Sequence, residues 1–261
     1  MAPRAFPAID LPEQVVEALS GLGDCLLLGA HAREHVVHRL AGLAPGRSTT
    51  DFDLALAVPS IDRFREVTGS LRRASESGTR FVVADWPVDI IPFSGADGPL
   101  HGVIEVVPGV QIDVTGQAEA FESAERMPAP ADWLRLPSLH AMIVLKTVAW
   151  GMRRESTSKD ATDLAALLRC VASGVFADRC YDAPLLLRWA DPELAGAHLT
   201  GIDAARDLPI ATAACLEHWS TPELSAAMVA RTDPTVPSFR RAQLDQLLSA
   251  LVDGAEEGLR R

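Results

Sequence analysis

The sequence is poor in lysine, in aromatic residues and in long apolar runs. Only two of its 24 basic residues are lysines, Lys146 and Lys159, and aromatic residues make up 5% of the 261 residues. No run approaches the ~18 consecutive apolar residues of a membrane-spanning helix. The N-terminus also lacks the charged-then-apolar pattern of a signal peptide. We therefore expect a cytoplasmic protein without a membrane partner.

The composition is that of a folded globular protein with an excess of negative charge. Hydrophobic residues make up 48% of the chain, which is long enough to bury one large core or two modest ones. The formal net charge of −11 argues against a general nucleic-acid coat, because nonspecific binding to phosphates depends on accumulated positive charge. Any polyanionic partner must therefore be bound by a local basic patch.

Neither the histidines nor the cysteines form a clear metal-binding motif. His31, His35 and His38 share one helical face at a spacing compatible with zinc. No fourth ligand of matching type is evident, so we interpret them as packing and hydrogen-bonding groups. The cysteines form no C-x-x-C pair and are predicted to be buried thiols: Cys25, Cys170, Cys180 and Cys215.

A pair of carboxylates opens a predicted apolar strand. Residues two apart in a strand share a face and lie roughly 6.6 Å apart, which places Asp51 and Asp53 together. The apolar residues of this strand are predicted to point into a core: Phe52, Leu54, Leu56 and Val58. The two carboxylates repel each other, and a bound divalent cation or a cationic ligand relieves that repulsion. Asp51 and Asp53 are therefore candidate metal ligands, with an Asx-type cap as the structural alternative for Asp51.

The predicted elements change from a mixture of strands and helices to helices alone. The first part has helices at 11–22, 30–40 and 63–75, strands at 25–28, 80–84 and 88–91, the last ended by Pro92, and a hairpin at 102–107 and 110–114. The second part has helices at 139–153, 159–172, 183–189, 192–198, 203–218, 222–230 and 239–257. We therefore predict an α/β (α+β) protein with a mixed-sheet core at 1–130 and an all-helical C-terminal domain at 131–261.

A strand, a glycine turn and a helix N-terminus come together at Gly29 and Ala30. Backbone amides at such a turn bind phosphate oxygens, and Arg33 is expected to face the same pocket. A plain strand-to-helix turn is the structural alternative for so short a pattern. Its position before Asp51 and Asp53 favours the phosphate site.

Three later segments carry further candidate residues. Asp89 lies on a second apolar strand, as a third metal ligand or as a carboxylate paired with an arginine. Lys146 lies on a helix that is apolar nearly all round, so its ammonium needs an anion: a triphosphate, Asp160 or Asp163. A salt bridge between Lys146 and Asp163 that joins two helices is the structural alternative. Lys159 and Asp160 begin the next helix, where Asp is a favoured first-turn residue.

In this order the motifs resemble those of nucleotidyltransferases of the DNA polymerase beta type, more narrowly the AbiEii-like toxin group and its predicted-nucleotidyltransferase relatives. The matching segments lie within roughly residues 25 to 170: Leu27-Leu28-Gly29-Ala30-His31-Ala32-Arg33, Thr50-Asp51-Phe52-Asp53-Leu54, Val88-Asp89-Ile90-Ile91-Pro92-Phe93, Lys146 and Lys159-Asp160-Ala161-Thr162-Asp163-Leu164. The sequence departs from the family at Ala30, where serine or glycine is usual.

The resemblance implies transfer of a nucleoside monophosphate from an NTP to an acceptor hydroxyl, with Mg²⁺ or Mn²⁺ as cofactor. The implied metal ligands are Asp51, Asp53 and Asp89, and the implied catalytic residues are these three with Lys146 and Asp163. The implied nucleotide-binding residues are Gly29, Ala30, Arg33, Thr50, Lys146, Lys159 and Asp160. For the toxin-like group the implied acceptor is the three-prime end of tRNA, and a cognate antitoxin is an implied partner.

The acceptor remains open between several alternatives. The basic cluster Arg153, Arg154 and Lys159 is either a contact for an RNA backbone or a solvated helix end. A tRNA enzyme should show a basic track leading to Asp51 and Asp53, whereas an adenylyltransferase of the aminoglycoside-modifying kind would present an acidic cleft to its cationic acceptor. A degenerate nucleotide-binding module is a third alternative, because Ala30 has no hydroxyl to donate to a phosphate.

Overall fold

The computed structural model describes residues 12–44, 51–95, 98–230 and 241–261. The described strands are β1 (Cys25–Leu27), β2 (Phe52–Ala57), β3 (Arg72–Arg73), β4 (Arg80–Val83), β5 (Trp86–Phe93), β6 (Val103–Val107), β7 (Val110–Asp113), β8 (Glu125–Arg126) and β9 (Leu134–Leu136). They form a seven-stranded mixed sheet in the order β3-β4-β5-β2-β1-β9-β8 and a separate β6-β7 hairpin. The mixed sheet and the hairpin confirm the prediction.

The centre of the sheet is the parallel pair of β2 and β5. Their register runs from Phe52 opposite Val88 to Ala57 opposite Phe93. β1 runs antiparallel to β2 and parallel to β9. The last residue of β1 and the first residues of β2 and β5 therefore lie at the same end of the sheet, which is where the predicted site residues are found.

The remaining described elements are helices, and every element described after β9 is helical. The helices are α1 (Glu13–Leu19), α2 (Gly29–Glu34), α3 (Ile61–Val67), α4 (Gln117–Ser123), α5 (Leu139–Arg153), α6 (Lys159–Leu168), α7 (Ala183–Trp189), α8 (Pro192–Asp207), α9 (Pro209–Trp219), α10 (Pro222–Ala230) and α11 (Arg241–Leu259). A π-helix (His35–Leu40) continues α2, and two 3₁₀-helices (Gly174–Phe176 and Asp178–Tyr181) precede α7. The predicted helical C-terminal region is confirmed.

Glycine allows α8 and α11 to pack backbone against backbone. A Cβ atom at Gly254 on α11 would lie 1.9 Å from the carbonyl oxygen of His198 on α8. A Cβ atom at Gly201 on α8 would lie 2.1 Å from the carbonyl oxygen of Leu251 on α11. Both distances are far below van der Waals contact, so this helix pair requires residues without a side chain at these two positions.

Several predicted boundaries are wrong, and two of them involve proline. The strand that was predicted to end at Pro92 continues to Phe93. β4 pairs only with residues Trp86 to Asp89, so Pro92 needs no amide for a ladder on that side. The helices predicted at 192–198 and 203–218 are instead α8, which runs to Asp207, and α9, which begins at Pro209. A proline has no backbone N–H. At the first position of a helix that group has no partner within the helix, whereas in the interior its absence removes one backbone hydrogen bond.

Other differences come from pairing between distant segments. The helix predicted at 63–75 ends at Val67, and Arg72–Arg73 instead pairs with β4. The helix predicted at 30–40 is an α-helix followed by a π-helix. α4 was not predicted, and neither was β9, which lies beyond the predicted boundary at residue 130 but pairs with β1.

The division into domains at 1–130 and 131–261 stays a prediction. Among the described residues, no helix is long and apolar enough to cross a membrane.

Candidate active site

Three carboxylates lie on one face of the central strand pair. Asp53 on β2 and Asp89 on β5 are direct partners in the parallel register, and Asp51 precedes Asp53 by two residues. Phe52 and Leu54, which point to the opposite face, are each only 2% exposed. The predicted alternation of β2 is therefore confirmed. It places the carboxylates of the two strands side by side at the end of the sheet.

The carboxylate of Asp53 is held in an environment that disfavours its charge. The pKa of Asp53 is raised to about 6, mainly by burial and further by the nearby charges of Asp89 and Asp51, while Lys146 acts in the opposite direction. Burial also raises the pKa of Asp89, and the charge of Arg80 partly offsets that effect. Burial, with a smaller contribution from the two neighbouring carboxylates, thus disfavours the ionised form of Asp53, and a cation bound next to it would stabilise that form.

The glycine turn that begins α2 packs directly against Asp53. Gly29 has φ +62°, in the left-handed region that favours glycine. A Cβ atom at this position would lie 1.8 Å from Oδ2 of Asp53. The amide of Leu28 also donates to the carbonyl oxygen of Asp53 over 2.8 Å. The turn and the acidic strand therefore form one unit, and Ala30, the next residue, is buried.

An arginine that the sequence did not single out faces two of the carboxylates. Arg80 on β4 lies opposite Asp89 in the antiparallel register of β4 and β5. Its Nη2 donates to Oδ2 of Asp51 over 3.0 Å, and its Nη1 lies 3.9 Å from Oδ2 of Asp89. The alternative in which Asp89 pairs with an arginine is thus observed. The sequence indicates two neighbouring strands at this place, β4 and β5. It does not predict which residues of the two strands lie opposite each other, because that register depends on the geometry of the turn between them.

Lys146 and Asp163 form the interhelical salt bridge that was one alternative. The Nζ of Lys146 on α5 lies 2.6 Å from Oδ2 of Asp163 and 3.3 Å from Oδ1 of Asp160, both on α6. Arg33 on α2 donates to the other oxygen of Asp163 over 2.5 Å. Arg153 pairs with Asp160 over 2.8 Å. These contacts join α2, α5 and α6 next to the carboxylates.

Asp163 lies between two cations in the interior. The side chains of Asp163 and Arg33 are each 4% exposed, and that of Lys146 is 13% exposed. Burial alone would raise the pKa of Asp163, but Lys146 and Arg33 lower it below its ordinary value. Asp163 therefore holds both cations in place as a buried anion.

The remaining predicted residues do not all reach this site. Lys159 is exposed at the first residue of α6. Thr50 lies outside the described residues. Among the histidines, His31 stacks on the ring of Phe52 with centroids 4.2 Å apart, His35 is buried and His38 is exposed. The four cysteines are buried free thiols, as predicted.

Asp51, Asp53 and Asp89 are suitable ligands for a divalent cation. The guanidinium of Arg80, however, lies next to the oxygen atoms of Asp51 and Asp89 that would bind the cation. Carboxylate oxygens are the ligands that Mg²⁺ and Mn²⁺ take in proteins, and the pKa of Asp53 is raised by burial and by its two acidic neighbours. In the described part of the chain, however, no three acidic, histidine or cysteine side chains are grouped as a metal site. The side chains of Asp51 and Asp89 face the guanidinium of Arg80 instead.

One cavity lies apart from the carboxylates. It has a volume of about 610 Å³ and is lined by the π-helix, the start of α5, the segment around the 3₁₀-helices and α8. Its charged lining residues are mixed in sign: Arg39, Glu125, Arg179, Asp203 and Arg206. Asp203 accepts from Arg179 over 2.5 Å and pairs with Arg206 over 3.0 Å. None of the predicted site residues lines this cavity, so the candidate site rests on the carboxylates.

The sequence matches no family model and no curated protein. Among solved structures, the chain is similar to that of ANT(2″)-Ia in complex with adenylyl-2″-tobramycin, with 15% sequence identity and a TM-score of 0.38. The similarity covers 60% of this chain and 84% of that chain.

Proposed function

We propose that this protein is a metal-dependent nucleotidyltransferase. The acceptor hydroxyl oxygen would attack the α-phosphorus of an NTP, the bond to the β-phosphate oxygen would break, and pyrophosphate would leave. The observation that carries the proposal is the pairing of Asp53 with Asp89 across two parallel strands, with Asp51 on the same face and the Gly29 turn against Asp53. Three carboxylates beside an anion-binding turn suit a triphosphate and its cation.

The proposed metal ligands are Asp51, Asp53 and Asp89. Mg²⁺ or Mn²⁺ bound there would neutralise the triphosphate and activate the attacking hydroxyl. The chain's own contribution is to gather three acidic groups at the end of the sheet and to bury Asp53 next to Lys146. The side chain of Asp89 is 28% exposed, and it is the proposed group that orients the acceptor hydroxyl and takes up its proton.

The proposed nucleotide site extends from the carboxylates to α5 and α6. The turn at Gly29 and Ala30 presents its amides to phosphate oxygens. Lys146 supplies positive charge close to Asp53, and Asp163, Asp160 and Arg33 position it. Thr50 and the exposed Lys159 stay proposed nucleotide contacts on the resemblance alone.

We propose the three-prime end of tRNA as the acceptor, in a toxin-like enzyme with a cognate antitoxin. Arg153, Arg154 and Lys159 are exposed at the junction of α5 and α6. The charge of Arg153 offsets a small part of the rise in the pKa of Asp53, which burial mainly causes. We propose this cluster as the contact for the RNA backbone, because RNA binding requires local positive charge near the carboxylates.

A small cationic acceptor of the aminoglycoside type is the second candidate. The net charge of −11 and the partly exposed carboxylates of Asp51 and Asp89 favour it. A non-catalytic nucleotide-binding module is the third, on account of Ala30.

A labelling experiment separates these functions. Purified protein would be incubated with each α-³²P-labelled NTP, Mg²⁺ or Mn²⁺, and either total tRNA or kanamycin. Label on tRNA is the expected result, and label on kanamycin would favour the second candidate. Asp53→Ala should abolish transfer, because it removes the half-buried carboxylate at the centre of the site.

The matched control is Asp62→Ala, because the Asp62 side chain is 91% exposed on α3 and pairs only with Arg65 in its own helix among the described contacts. It should leave transfer unchanged. Nucleotide binding without transfer to either acceptor would favour the non-catalytic module. Undiminished transfer by Asp53→Ala would remove Asp53 from the mechanism.

A further inference from the structure

Arg80 continues the row of acidic residues across the sheet. Asp53 on β2, Asp89 on β5 and Arg80 on β4 are register partners on three neighbouring strands. The guanidinium spans two carboxylates, with 3.0 Å to Asp51 and 3.9 Å to Asp89. The side chain of Arg80 is 42% exposed, so solvent and ligands can reach it.

The hairpin turn sets the position of Arg80. Ala84 and Asp85 form the two-residue turn between Val83 and Trp86, and both have positive φ, +47° and +66°. Two-residue turns of this kind fix hairpin register, and asparagine or glycine is their usual occupant. Non-glycine residues in the left-handed region store backbone strain, which persists where the surrounding structure requires it. The register that this turn imposes is the one that sets Arg80 opposite Asp89.

Two cations cannot occupy the same carboxylate oxygens without repulsion. A metal ion held by Asp51 and Asp89 would need oxygen atoms that the guanidinium now faces. Asp53 is outside the described contacts of Arg80 and has Lys146 as its nearby positive charge. The three carboxylates therefore have different positive partners. Asp53 lies near Lys146, whereas Asp51 and Asp89 face Arg80.

We propose that Arg80 and the divalent cation compete for Asp51 and Asp89, and that the displaced guanidinium binds a phosphate of the incoming nucleotide. This proposal rests on the proposed function. Arg80 keeps the carboxylates from repelling each other in the metal-free protein. Its planar fork of N–H donors then matches the oxygens of a phosphate group. Arg80 is thus a binding residue with two successive anionic partners: the carboxylates of Asp51 and Asp89 in the metal-free protein, and a nucleotide phosphate when the cation is bound.

The proposal predicts opposite effects on the two ligands when Arg80 loses its charge. Arg80→Gln should bind Mn²⁺ about fivefold more tightly than the wild type, because an exposed ion pair contributes up to about that factor. The same variant should bind Mg²⁺–NTP about tenfold more weakly, because a charge-assisted contact is lost. Arg80→Lys should keep Mn²⁺ affinity near that of the wild type and still bind the nucleotide more weakly, because lysine lacks the fork.

Mn²⁺ binding would be followed by the electron paramagnetic resonance signal of the free ion, and nucleotide binding by calorimetry with a non-hydrolysable NTP analogue. Arg63→Gln is the matched control, because Arg63 is half exposed on α3 and pairs with Glu66; it should change neither affinity. Circular dichroism would verify that each variant is folded. In the wild type, Mg²⁺ should shift the Arg80 Nε–H NMR signal, a measurement that needs no folded variant.

The outcomes distinguish this proposal from the proposed function. Equal Mn²⁺ affinity in the wild type and Arg80→Gln, with an unshifted Arg80 signal, would overturn the competition and leave nucleotidyl transfer standing. Looser binding of both ligands by Arg80→Gln would also overturn it, because that result indicates a supporting role alone. Absence of Mn²⁺ binding in the wild type, with no difference from Asp53→Asn, would instead overturn the proposed function.

Discussion

Lys146 on α5 and Asp163 on α6 form a 2.6 Å ion pair whose anion is shared with Arg33 on α2. One carboxylate with 4% of its side chain exposed thus neutralises two cations from two other helices. Loss of the shared carboxylate would leave Lys146 with Asp160 and Arg33 with Glu34, so each buried cation would keep only part of its neutralising charge.

Replacement of that shared carboxylate should therefore destabilise the fold. We expect Asp163→Asn to lower the free energy of unfolding by about 3 kcal/mol, measured by urea denaturation at neutral pH. Asp62→Asn, at an exposed site, should change it by less than about 0.5 kcal/mol. Equal stabilities of the two variants would show that Asp160 and Glu34 are sufficient to compensate Lys146 and Arg33.

Replacement of Asp53 should have the opposite effect on stability. Because the pKa of Asp53 is raised to about 6, its ionisation opposes folding at pH values above its ordinary pKa. Asp53→Asn should therefore raise the free energy of unfolding by about 1–3 kcal/mol at pH 8 in chelator-treated buffer, while nucleotidyl transfer is lost. The gain should vanish below the ordinary carboxyl pKa, where the wild type is protonated in both states. A destabilised variant at pH 8 would mean that the contact with Lys146 outweighs burial.

Gly29 and Asp53 should be energetically coupled. Gly29→Ala places a methyl group 1.8 Å from Oδ2 of Asp53 and in a left-handed conformation, so we expect a loss of at least about 2 kcal/mol. In an Asp53→Ala background part of that cost should disappear, because the clashing carboxylate is gone. Gly21→Ala is the control, because an added Cβ there meets nothing within 4 Å. If Gly29→Ala costs the same stability in the wild type and in the Asp53→Ala background, the cost arises from the left-handed backbone conformation alone.

Acid unfolding should depend on Asp163. Its folded-state pKa lies below the ordinary value, so its contribution to stability is present above the unfolded-state pKa and is lost as the pH falls through the folded-state pKa. Urea unfolding of the wild type should show decreasing stability as the pH falls from about 5 to below 3.8. The slope should be shallower in Asp163→Asn. An unchanged slope would assign the acid sensitivity to other carboxylates.

The local features of the site could be predicted from the sequence, whereas its partners could not. The shared face of Asp51 and Asp53 follows from a period of two residues, and the turn at Gly29 follows from a glycine between an apolar strand and a helix. For Lys146 three possible anions remained, and the structure pairs it with two of them, Asp160 and Asp163. Arg80 was not singled out, because its place opposite Asp89 depends on a turn without the usual glycine.

The sequence by itself determined which residues share a strand face, where α5 begins and ends, and which side of β2 enters the core. These properties repeat with the local geometry of a strand or a helix, so a short window of residues is sufficient. Only the tertiary structure decided that β9 lies beside β1, that Arg33 meets Asp163 across 130 residues of sequence, and that Arg80 faces two carboxylates. Such contacts depend on strand register and helix packing between distant segments, and no local periodicity encodes them.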